Sequence, residues 1–243
     1  MHRTTNVGAH ADPFIARFAP ALTLPDPLPE DPFPLFEEWH GHAVNSNTQP
    51  NPTAMSLATI DADGAPSVRI VLCRGLDVRA GSVTWFTNRR SRKGRALEAN
   101  PRAAVTFHWD HADRQVRLEG PVQHCTDEES DAYFHRRPWE SRLAAWASQQ
   151  SQPLASRADL LQAVRDAAKR LGLSEQELLE RGNDVRIPRP AHWGGYRLVA
   201  RRAELWQGGP GRTHDRAEWT RPLRRAPEGW VGDGPWLGTR VQP

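Results

Sequence analysis

Short runs of alternating apolar and polar residues dominate the chain between residues 54 and 122. A period of two is typical of β-strands, whose side chains point to opposite faces in turn. The pattern predicts strands at residues 55–60, 67–72, 82–87, 103–109 and 115–122, a turn at 61–64 and a short helix at 92–99. Because short links join consecutive strands, we expect an antiparallel barrel rather than alternating βα units.

Helical patterns flank this strand-rich region. A partial apolar stripe follows Asp31-Pro32, and residues 158–171 place apolar side chains on one broad face with charges opposite. The sequence also predicts helices at 127–135, 141–148 and 174–181, and closing strands at 193–198, 203–207, 217–221 and 229–237. The expected fold class is therefore mainly β with α (α+β), an antiparallel β-barrel flanked by helices.

The first 30 residues are rich in Pro, Ala and polar residues and show no sustained period. Such composition predicts a flexible or loosely draped N-terminal arm. The remaining residues, 31–243, are enough to bury a sizeable core as one domain.

The composition changes this picture little. Hydrophobic residues make up 38% and charged residues 25% of the chain, as in soluble globular proteins. We find neither an apolar run long enough to span a bilayer nor the apolar core of a signal peptide after Met1, so we expect a cytoplasmic protein without membrane contact. Cys73 and Cys125 lie in unrelated surroundings and the histidines lack metal-ligand spacing, so no disulfide framework and no metal site are expected.

The usual dinucleotide, P-loop, serine-hydrolase and zinc-protease motifs do not occur in the sequence. Arginine greatly outnumbers lysine, however, and arginines cluster at 89–95, 136–142, 197–202 and 212–225. Guanidinium groups suit bidentate phosphate binding, which indicates either a nucleic acid or a phosphorylated small molecule. Acidic residues interrupt the clusters, as at Asp113-Arg114 and Asp215-Arg216, which argues against nucleic acid.

One candidate phosphate site combines Arg69 and Thr87-Asn88 with Ser91-Arg92-Lys93, at strand ends and the start of a helix. Hydroxyls, cations and N-terminal helix amides together bind phosphate, although spacing alone favours a solvated basic turn. Arg69 favours the site, because a guanidinium inside an apolar strand needs an anionic partner if it points inward.

A second candidate lies where one predicted helix ends before Pro138 and another begins near Ser141. Tyr133, Arg137 and Ser141 could converge there on one oxyanion, or Ser141 could be a plain N-cap and Arg137 a surface charge. Gln115, whose amide can both donate and accept, and the Gln150-Ser151 pair are weaker signals.

The segment from Trp206 to Arg216 carries the most unusual residue set in the chain. An aromatic ring, an imidazole and two guanidinium groups stand on a short turn that begins with Gly208-Gly209. A folded core does not require that combination, since Arg and His are poorly suited to burial and paired glycines weaken regular elements. The segment therefore indicates a binding or catalytic site.

Taken in order, these segments resemble the pyridoxamine 5'-phosphate oxidase family, flavoenzymes that make pyridoxal 5'-phosphate. The resemblance covers about residues 31–243. It rests on Arg69-Ile70-Val71-Leu72, Phe86-Thr87-Asn88, Ser91-Arg92-Lys93, Arg114-Gln115-Val116, Tyr133-Phe134-His135-Arg136-Arg137-Pro138, Gln150-Ser151, Trp193-Gly194-Gly195 and the segment from Trp206 to Arg216.

The resemblance implies a split-barrel homodimer with FMN at the subunit interface, and a phosphorylated pyridine substrate oxidised with O2 to give hydrogen peroxide. The implied cofactor-binding residues are Arg69, Ile70, Val71, Leu72, Phe86, Thr87, Arg92, Lys93, Gln115, Gln150, Ser151, Trp206 and Arg216. The implied substrate-binding residues are Arg74, Tyr133, Arg137, Ser141, Arg212 and His214. Of these, Arg212 and His214 are the implied catalytic pair, and the flavin itself performs the hydride transfer.

Three departures from the family pattern bear on the substrate. Position 74 is Arg where Lys is usual, position 136 is Arg where a small Ser is common, and residues 1–30 lack the Arg-x-x-Tyr segment that many members fold over the substrate. An alternative is therefore the related branch that oxidises tricyclic phenazine intermediates, although that branch usually lacks the Tyr, Arg and Ser phosphate contacts. A non-catalytic flavin- or haem-binding split barrel, or a basic nucleic-acid binder, is the remaining alternative.

Overall fold

The computed structural model describes residues 12–19 and 22–243. Its six helices there are α1 (Phe33–Ser46), α2 (Arg92–Ala99), α3 (Asp127–His135), α4 (Trp139–Ala147), α5 (Arg157–Arg170) and α6 (Glu175–Arg181). The strands are β1 (Ala54–Ile60), β2 (Pro66–Leu72), β3 (Gly75–Asp77), β4 (Ser82–Asn88), β5 (Arg102–Trp109), β6 (Arg114–His124), β7 (Trp193–Val199), β8 (Arg202–Gln207), β9 (Asp215–Thr220), β10 (Leu223–Ala226), β11 (Gly229–Gly232) and β12 (Leu237–Arg240).

Ten strands form one antiparallel sheet that divides at its longest strand. Strands β12, β9, β8, β6, β5, β1 and β2 follow one another in hydrogen-bonded order. The first part of β6 pairs with β5 and β8, whereas residues 122–124 pair with β7, which continues to β4 and β3. Because β6 belongs to both halves, the sheet is a split barrel, and the mainly β fold with flanking helices is confirmed.

The barrel interior is filled by alternate residues of the strands. Met55, Leu57 and Trp85 are almost completely buried, and α1 adds Phe33 and Phe36 to the same core. Each buried large apolar side chain contributes about 1.5–3 kcal/mol through removal of its surface from water. Side chains at the intervening positions lie on the outer face of the sheet, where Val68 and Ile70 of β2 remain exposed.

A second hydrophobic cluster joins helices α3 to α6 to the start of β7. Helix α3 begins with a capping box, in which Thr126 and Glu129 satisfy each other's backbone amides. Phe134, near the end of α3, is fully buried, and Trp193 is only 6% exposed. The cluster fixes the end of α3 against β7, beside the site described below.

Three sequence predictions were wrong in detail. Helix α4 begins at Trp139 after Pro138, so Ser141 lies inside its first turn and is not its N-cap. Strand β3 was not predicted because it has only three residues. Residues 229–237 form no continuous strand, since Gly234 takes a φ of +145° and Pro235 cannot donate to a ladder.

The predicted N-terminal arm falls partly on residues 1–11, 20 and 21, outside the described part of the chain. Residues 12–19 are exposed and contain a short 3-10 helix, whereas Leu24 is buried in the barrel core. In the same region the Trp219 indole donates to the Pro29 carbonyl. No helix of the described residues is long and apolar enough to cross a membrane.

Candidate active site

A cavity of about 290 Å³ opens where β2, β4, α2 and α3 meet. It brings together residues that are far apart in sequence and that the family resemblance assigns to two ligands. The residues lining it are Ile70, Val71, Leu72, Arg74, Phe86, Thr87, Lys93, Tyr133, Arg137, Gln150 and Trp193.

Lys93 lies on one wall of this cavity, in the first turn of α2. Its ammonium donates to the Thr87 hydroxyl (3.0 Å), the Ser91 hydroxyl (3.1 Å) and the Gln150 side-chain carbonyl (3.0 Å). The side chain of Ser91 also caps α2 by accepting from the Gly94 amide. We call Thr87, Ser91, Lys93 and Gln150 the Lys93 cluster.

The Lys93 cluster holds a cation without a carboxylate partner among the described residues. Burial, together with the nearby positive charge of Arg69, lowers the pKa of Lys93 to about 8. Burial also lowers the pKa of Arg69, whose guanidinium donates only to neutral oxygens of β1 and β2, including the Thr59 hydroxyl at 2.7 Å. Such a pair is a favourable place for an added anion.

Arg92 and Ser151 lie beside the Lys93 cluster and do not line the cavity. The Arg92 guanidinium donates twice to one carboxylate oxygen of Asp61, and the side chain is 60% exposed. Its backbone amide donates to the Ser151 hydroxyl at 3.1 Å, which ties the start of α2 to the loop after α4. Ser151 adopts a φ of +74°, so this loop has an uncommon backbone conformation.

A second cationic group, the Arg137 cluster of Arg74, Tyr133 and Arg137, lines the same cavity. Burial lowers the pKa of Arg137, the Tyr133 hydroxyl opposes that shift, and the nearby Arg74 lowers the pKa again. One terminal nitrogen of Arg137, Nη1, is buried without a hydrogen-bond partner in the described structure. Ser141 does not line the cavity, so the structure brings together two of the three residues of this second candidate.

Three aromatic rings, those of Phe86, Tyr133 and Trp193, line the same cavity. Phe86 and Tyr133 stack with ring centroids 4.3 Å apart, Phe86 and Trp193 are 5.5 Å apart, and all three rings are nearly parallel. Arg137 lies over the Trp193 ring at 4.8 Å. Trp193 belongs to the Trp193-Gly194-Gly195 motif, but the sequence predicts no role for it in the site, because a Trp is more often a core residue.

Gln115, Trp206 and Arg216 form a second group of implied cofactor residues, and none of them lines the cavity. They are direct cross-strand neighbours on β6, β8 and β9. Because Leu205 and Ala217 point into the barrel, the three side chains lie on the outer face of the sheet. Glu204, on the same face, pairs with Arg216 at 2.9 Å.

The turn from Gly208 to His214 follows β8 and carries the implied catalytic pair. A Cβ at Gly208 would lie 1.6 Å from a carboxylate oxygen of Asp113, so a larger residue there would displace the Asp113 side chain. The His214 ring packs on Trp206 with centroids 4.6 Å apart, and its Nδ1 accepts from the Gly209 amide. Arg212 is exposed with a φ of +64°, and it also lies outside the cavity.

The implied site residues therefore fall into two sets within one chain. One set surrounds the cavity, and the other lies on the outer face of β6, β8 and β9 and on the turn that follows β8. The cavity residues fit a flavin phosphate, because the Lys93 cluster offers a buried cation, hydroxyl donors and the amide end of α2.

Comparison with known families agrees with this geometry. Residues 46–170 match the family model described as pyridoxamine 5'-phosphate oxidase. Residues 193–243 match the model described as pyridoxine 5'-phosphate oxidase C-terminal dimerisation region. The second match contains Trp193 and the whole segment from Trp206 to Arg216.

Curated relatives extend the match over most of the chain. A pyridoxine/pyridoxamine 5'-phosphate oxidase of Pseudomonas paraeruginosa is 45% identical over 216 residues, which cover 88% of this chain and 90% of that protein. A protein of the same description from Cupriavidus necator is 50% identical over 186 residues, covering 76% and 81% of the two chains.

Solved structures show the same fold. PhzG from Burkholderia lata, solved with tetrahydrophenazine-1-carboxylic acid, superposes with a TM-score of 0.74 at 27% identity, over 92% of this chain and 98% of that one. A pyridoxamine 5'-phosphate oxidase-related, FMN-binding protein from Nostoc punctiforme gives a TM-score of 0.61 at 15% identity, over 89% and 100% of the two chains, which supports the fold alone. The chain belongs to the pyridoxamine 5'-phosphate oxidase family of FMN-dependent oxidoreductases.

Proposed function

We propose that this protein oxidises pyridoxamine 5'-phosphate and pyridoxine 5'-phosphate to pyridoxal 5'-phosphate, with O2 as electron acceptor and hydrogen peroxide as the second product. The observation that carries the proposal is the presence of two separate cationic groups in one cavity. A flavin mononucleotide and a phosphorylated pyridine each bring one phosphate, so their joint binding requires two such groups.

The Lys93 cluster would hold the FMN phosphate, with Arg69, Arg92 and Ser151 beside it. Apolar atoms of residues 70–72 and the ring of Phe86 line the same cavity and suit a planar flavin. When bound, FMN accepts a hydride from the substrate carbon that bears the amine or alcohol and is reoxidised by O2. The protein supplies binding, orientation and charge.

The Arg137 cluster would bind the phosphate of the substrate. Arg137 has a buried nitrogen free to donate, Tyr133 brings a hydroxyl, and Arg74 adds a second guanidinium. The exchange of the family's usual Lys for Arg74 keeps the positive charge and adds a planar pair of donors. Ser141, in the first turn of α4, is the third residue proposed for this phosphate.

The remaining proposed site residues would come from a second copy of the chain. Val68 and Ile70 are 68% and 64% exposed on the outer face of the sheet, the face that also carries Gln115, Trp206 and Arg216. A two-fold contact through this face would cover the apolar residues of both copies. It would also place Gln115, Trp206, Arg212, His214 and Arg216 of each copy over the cavity of the other.

His214 and Arg212 are the proposed catalytic residues. The Nδ1 atom of His214 accepts a backbone hydrogen bond, which leaves Nε2 as the atom that can orient the substrate or handle its proton. The Arg212 guanidinium, exposed in the single chain, would supply positive charge beside the pyridine ring. For an amine substrate, water hydrolyses the resulting imine and releases ammonia.

The phenazine branch remains the second candidate, because the PhzG structure covers nearly the whole chain. Tyr133 and Arg137 in the cavity favour a phosphorylated substrate over that alternative. We place the reaction in the cytoplasm, in keeping with the two buried, unpaired thiols of Cys73 and Cys125.

The test is an oxidase assay on the purified protein. We expect a yellow protein that contains FMN and releases peroxide in air when given either 5'-phosphorylated vitamer. A colourless protein that gains no flavin absorbance after addition of FMN would contradict the cofactor assignment. Flavin binding without turnover of either vitamer, together with oxidation of a reduced phenazine carboxylate, would assign the protein to the alternative branch.

A further inference from the structure

Arg137 is oriented without an acidic partner. Among the described residues it forms no ion pair, and its Cζ atom lies 4.8 Å from the centroid of the Trp193 ring and 5.5 Å from that of Phe134. A carboxylate would orient a guanidinium but would also use its N–H donors and cancel its charge. An aromatic face holds the same group through the ring quadrupole and leaves the donors free.

Trp193 is itself held firmly. Arg189 donates to the Trp193 carbonyl at 2.7 Å, and its other nitrogens donate to Asp131 at 2.7 Å and Asp127 at 2.8 Å, both on α3. The Arg189 side chain is only 9% exposed. Hydrogen bonding to Arg189 lowers the pKa of Asp131, which favours the charged carboxylate that this contact requires.

This anchor ties Trp193 to the helix that bears the anion-binding side chains. Helix α3 ends at His135, so Tyr133 lies in its last turn and Arg137 two residues beyond it. The Tyr133 ring is nearly parallel to that of Trp193, at an interplanar angle of 3° and with ring centroids 6.2 Å apart. One indole ring therefore contacts Arg137 through its face and belongs to the same parallel stack as Phe86 and the ring that carries the Tyr133 hydroxyl.

We propose that Trp193 is a positioning residue for anion binding, which orients Arg137 by a cation–π contact and keeps its N–H donors available to a substrate phosphate. The inference deepens the proposed function and rests on it for the identity of the phosphorylated substrate. The role of Trp193 requires only that an anion binds at Arg137, so this inference and the proposed function can fail separately.

The experiment is a double-mutant cycle on the FMN-loaded protein, with Trp193→Leu, Arg137→Met and the double variant. Binding of inorganic phosphate is measured by calorimetry, and KM and kcat are measured with pyridoxine 5'-phosphate. We expect Trp193→Leu to weaken phosphate binding and raise KM by roughly 5- to 30-fold, the range of a desolvated cation–π contact, with a smaller change in kcat. In the Arg137→Met background the same substitution should add almost nothing.

Two further variants separate positioning from general stability. Trp193→Phe keeps an aromatic face and should restore most of the phosphate affinity. Trp146→Leu removes an indole from the same hydrophobic cluster. The Trp146 ring stacks on neither Arg137 nor Tyr133 among the described contacts, so this variant should leave phosphate affinity unchanged.

Additive effects of the two substitutions, or equal loss in the Trp193→Leu and Trp193→Phe proteins, would overturn the inference. A protein that binds phosphate with this coupling but oxidises neither vitamer would instead refute the proposed function and leave the role of Trp193 intact. If the Trp193→Leu protein does not fold, Trp193→Met, which also lacks an aromatic face, takes its place in the same cycle.

Discussion

Replacement of Lys93 by methionine should stabilise the empty protein and weaken FMN binding at the same time. Lys93 is 9% exposed, and its pKa falls from 10.5 to about 8. This decrease in pKa means that the charged ammonium destabilises the folded chain by roughly 3 kcal/mol at neutral pH. Methionine has a similar shape and carries no charge.

The gain is partly offset by the oxygens that Lys93 leaves behind. The Ser91 hydroxyl still accepts from the Gly94 amide, and the Thr87 hydroxyl still donates to the Gln150 carbonyl at 3.3 Å. Loss of the Lys93 ammonium as a hydrogen-bond donor destabilises the folded protein by about 1–2 kcal/mol. The expected net stabilisation of the flavin-free protein is therefore about 1–2 kcal/mol, or a rise in Tm of roughly 2–8 °C for a chain of this size.

FMN binding should change in the opposite direction. A charge-assisted hydrogen bond contributes about 1.5–3 kcal/mol, so the affinity for FMN should fall roughly 10- to 150-fold. The assays are urea denaturation of the flavin-free protein and titration with FMN followed by quenching of flavin fluorescence. The matched control is Lys169→Met, since Lys169 is the only other lysine and is exposed on α5.

The pH dependence tests the cause. Between about pH 8 and pH 10.5 the unfolded chain keeps a proton on Lys93 that the folded chain has lost, so this residue makes stability rise with pH across that window. The stability difference between Lys93→Met and wild type should therefore shrink as pH rises. A Lys93→Met protein that is less stable than wild type at pH 7, or that binds FMN within threefold of wild type, would refute the reasoning.

Three other predictions concern different parts of the molecule. Arg212→Ala and His214→Ala should each lower kcat, by roughly 100-fold or more for the histidine, with little change in bound FMN; loss of flavin in step with activity would contradict their role. Burial lowers the pKa of His40, so the folded protein loses stability as pH falls below 6.5 and the unfolded chain takes up a proton there. The loss of urea stability between pH 7.5 and pH 5.5 should therefore be smaller in His40→Phe than in wild type. Burial raises the pKa of both Cys73 and Cys125 to about 11. Iodoacetamide at pH 8 should therefore alkylate these thiols at least 100-fold more slowly in the native protein than in the unfolded protein. Equal rates would show that burial does not suppress formation of the thiolates.

The split-barrel fold could be predicted because its information is local. Period-two alternation marks β1, β2, β4, β5 and β6 directly, and each is long enough to show it. Where the local signal is short or interrupted, prediction failed. Strand β3 has three residues, and the strand predicted at 229–237 is interrupted by Gly232-Asp233-Gly234-Pro235 between β11 and β12. The start of α4 was placed at Ser141 because Ser is a common N-cap, whereas Pro138 fixes the chain direction there.

The sequence by itself determined which residues could bind phosphate, since the guanidinium, ammonium and hydroxyl groups follow from residue type alone. It could not determine which of them share a cavity, because Lys93 and Gln150 lie 57 positions apart and meet only after α2 and the loop after α4 pack together. Tertiary structure alone divided the implied site into a cavity set and an outer-face set, and it gave Trp193 its contact with Arg137. The physical reason is that burial, pKa and orientation depend on long-range neighbours, which the alternation of residues along a strand does not encode.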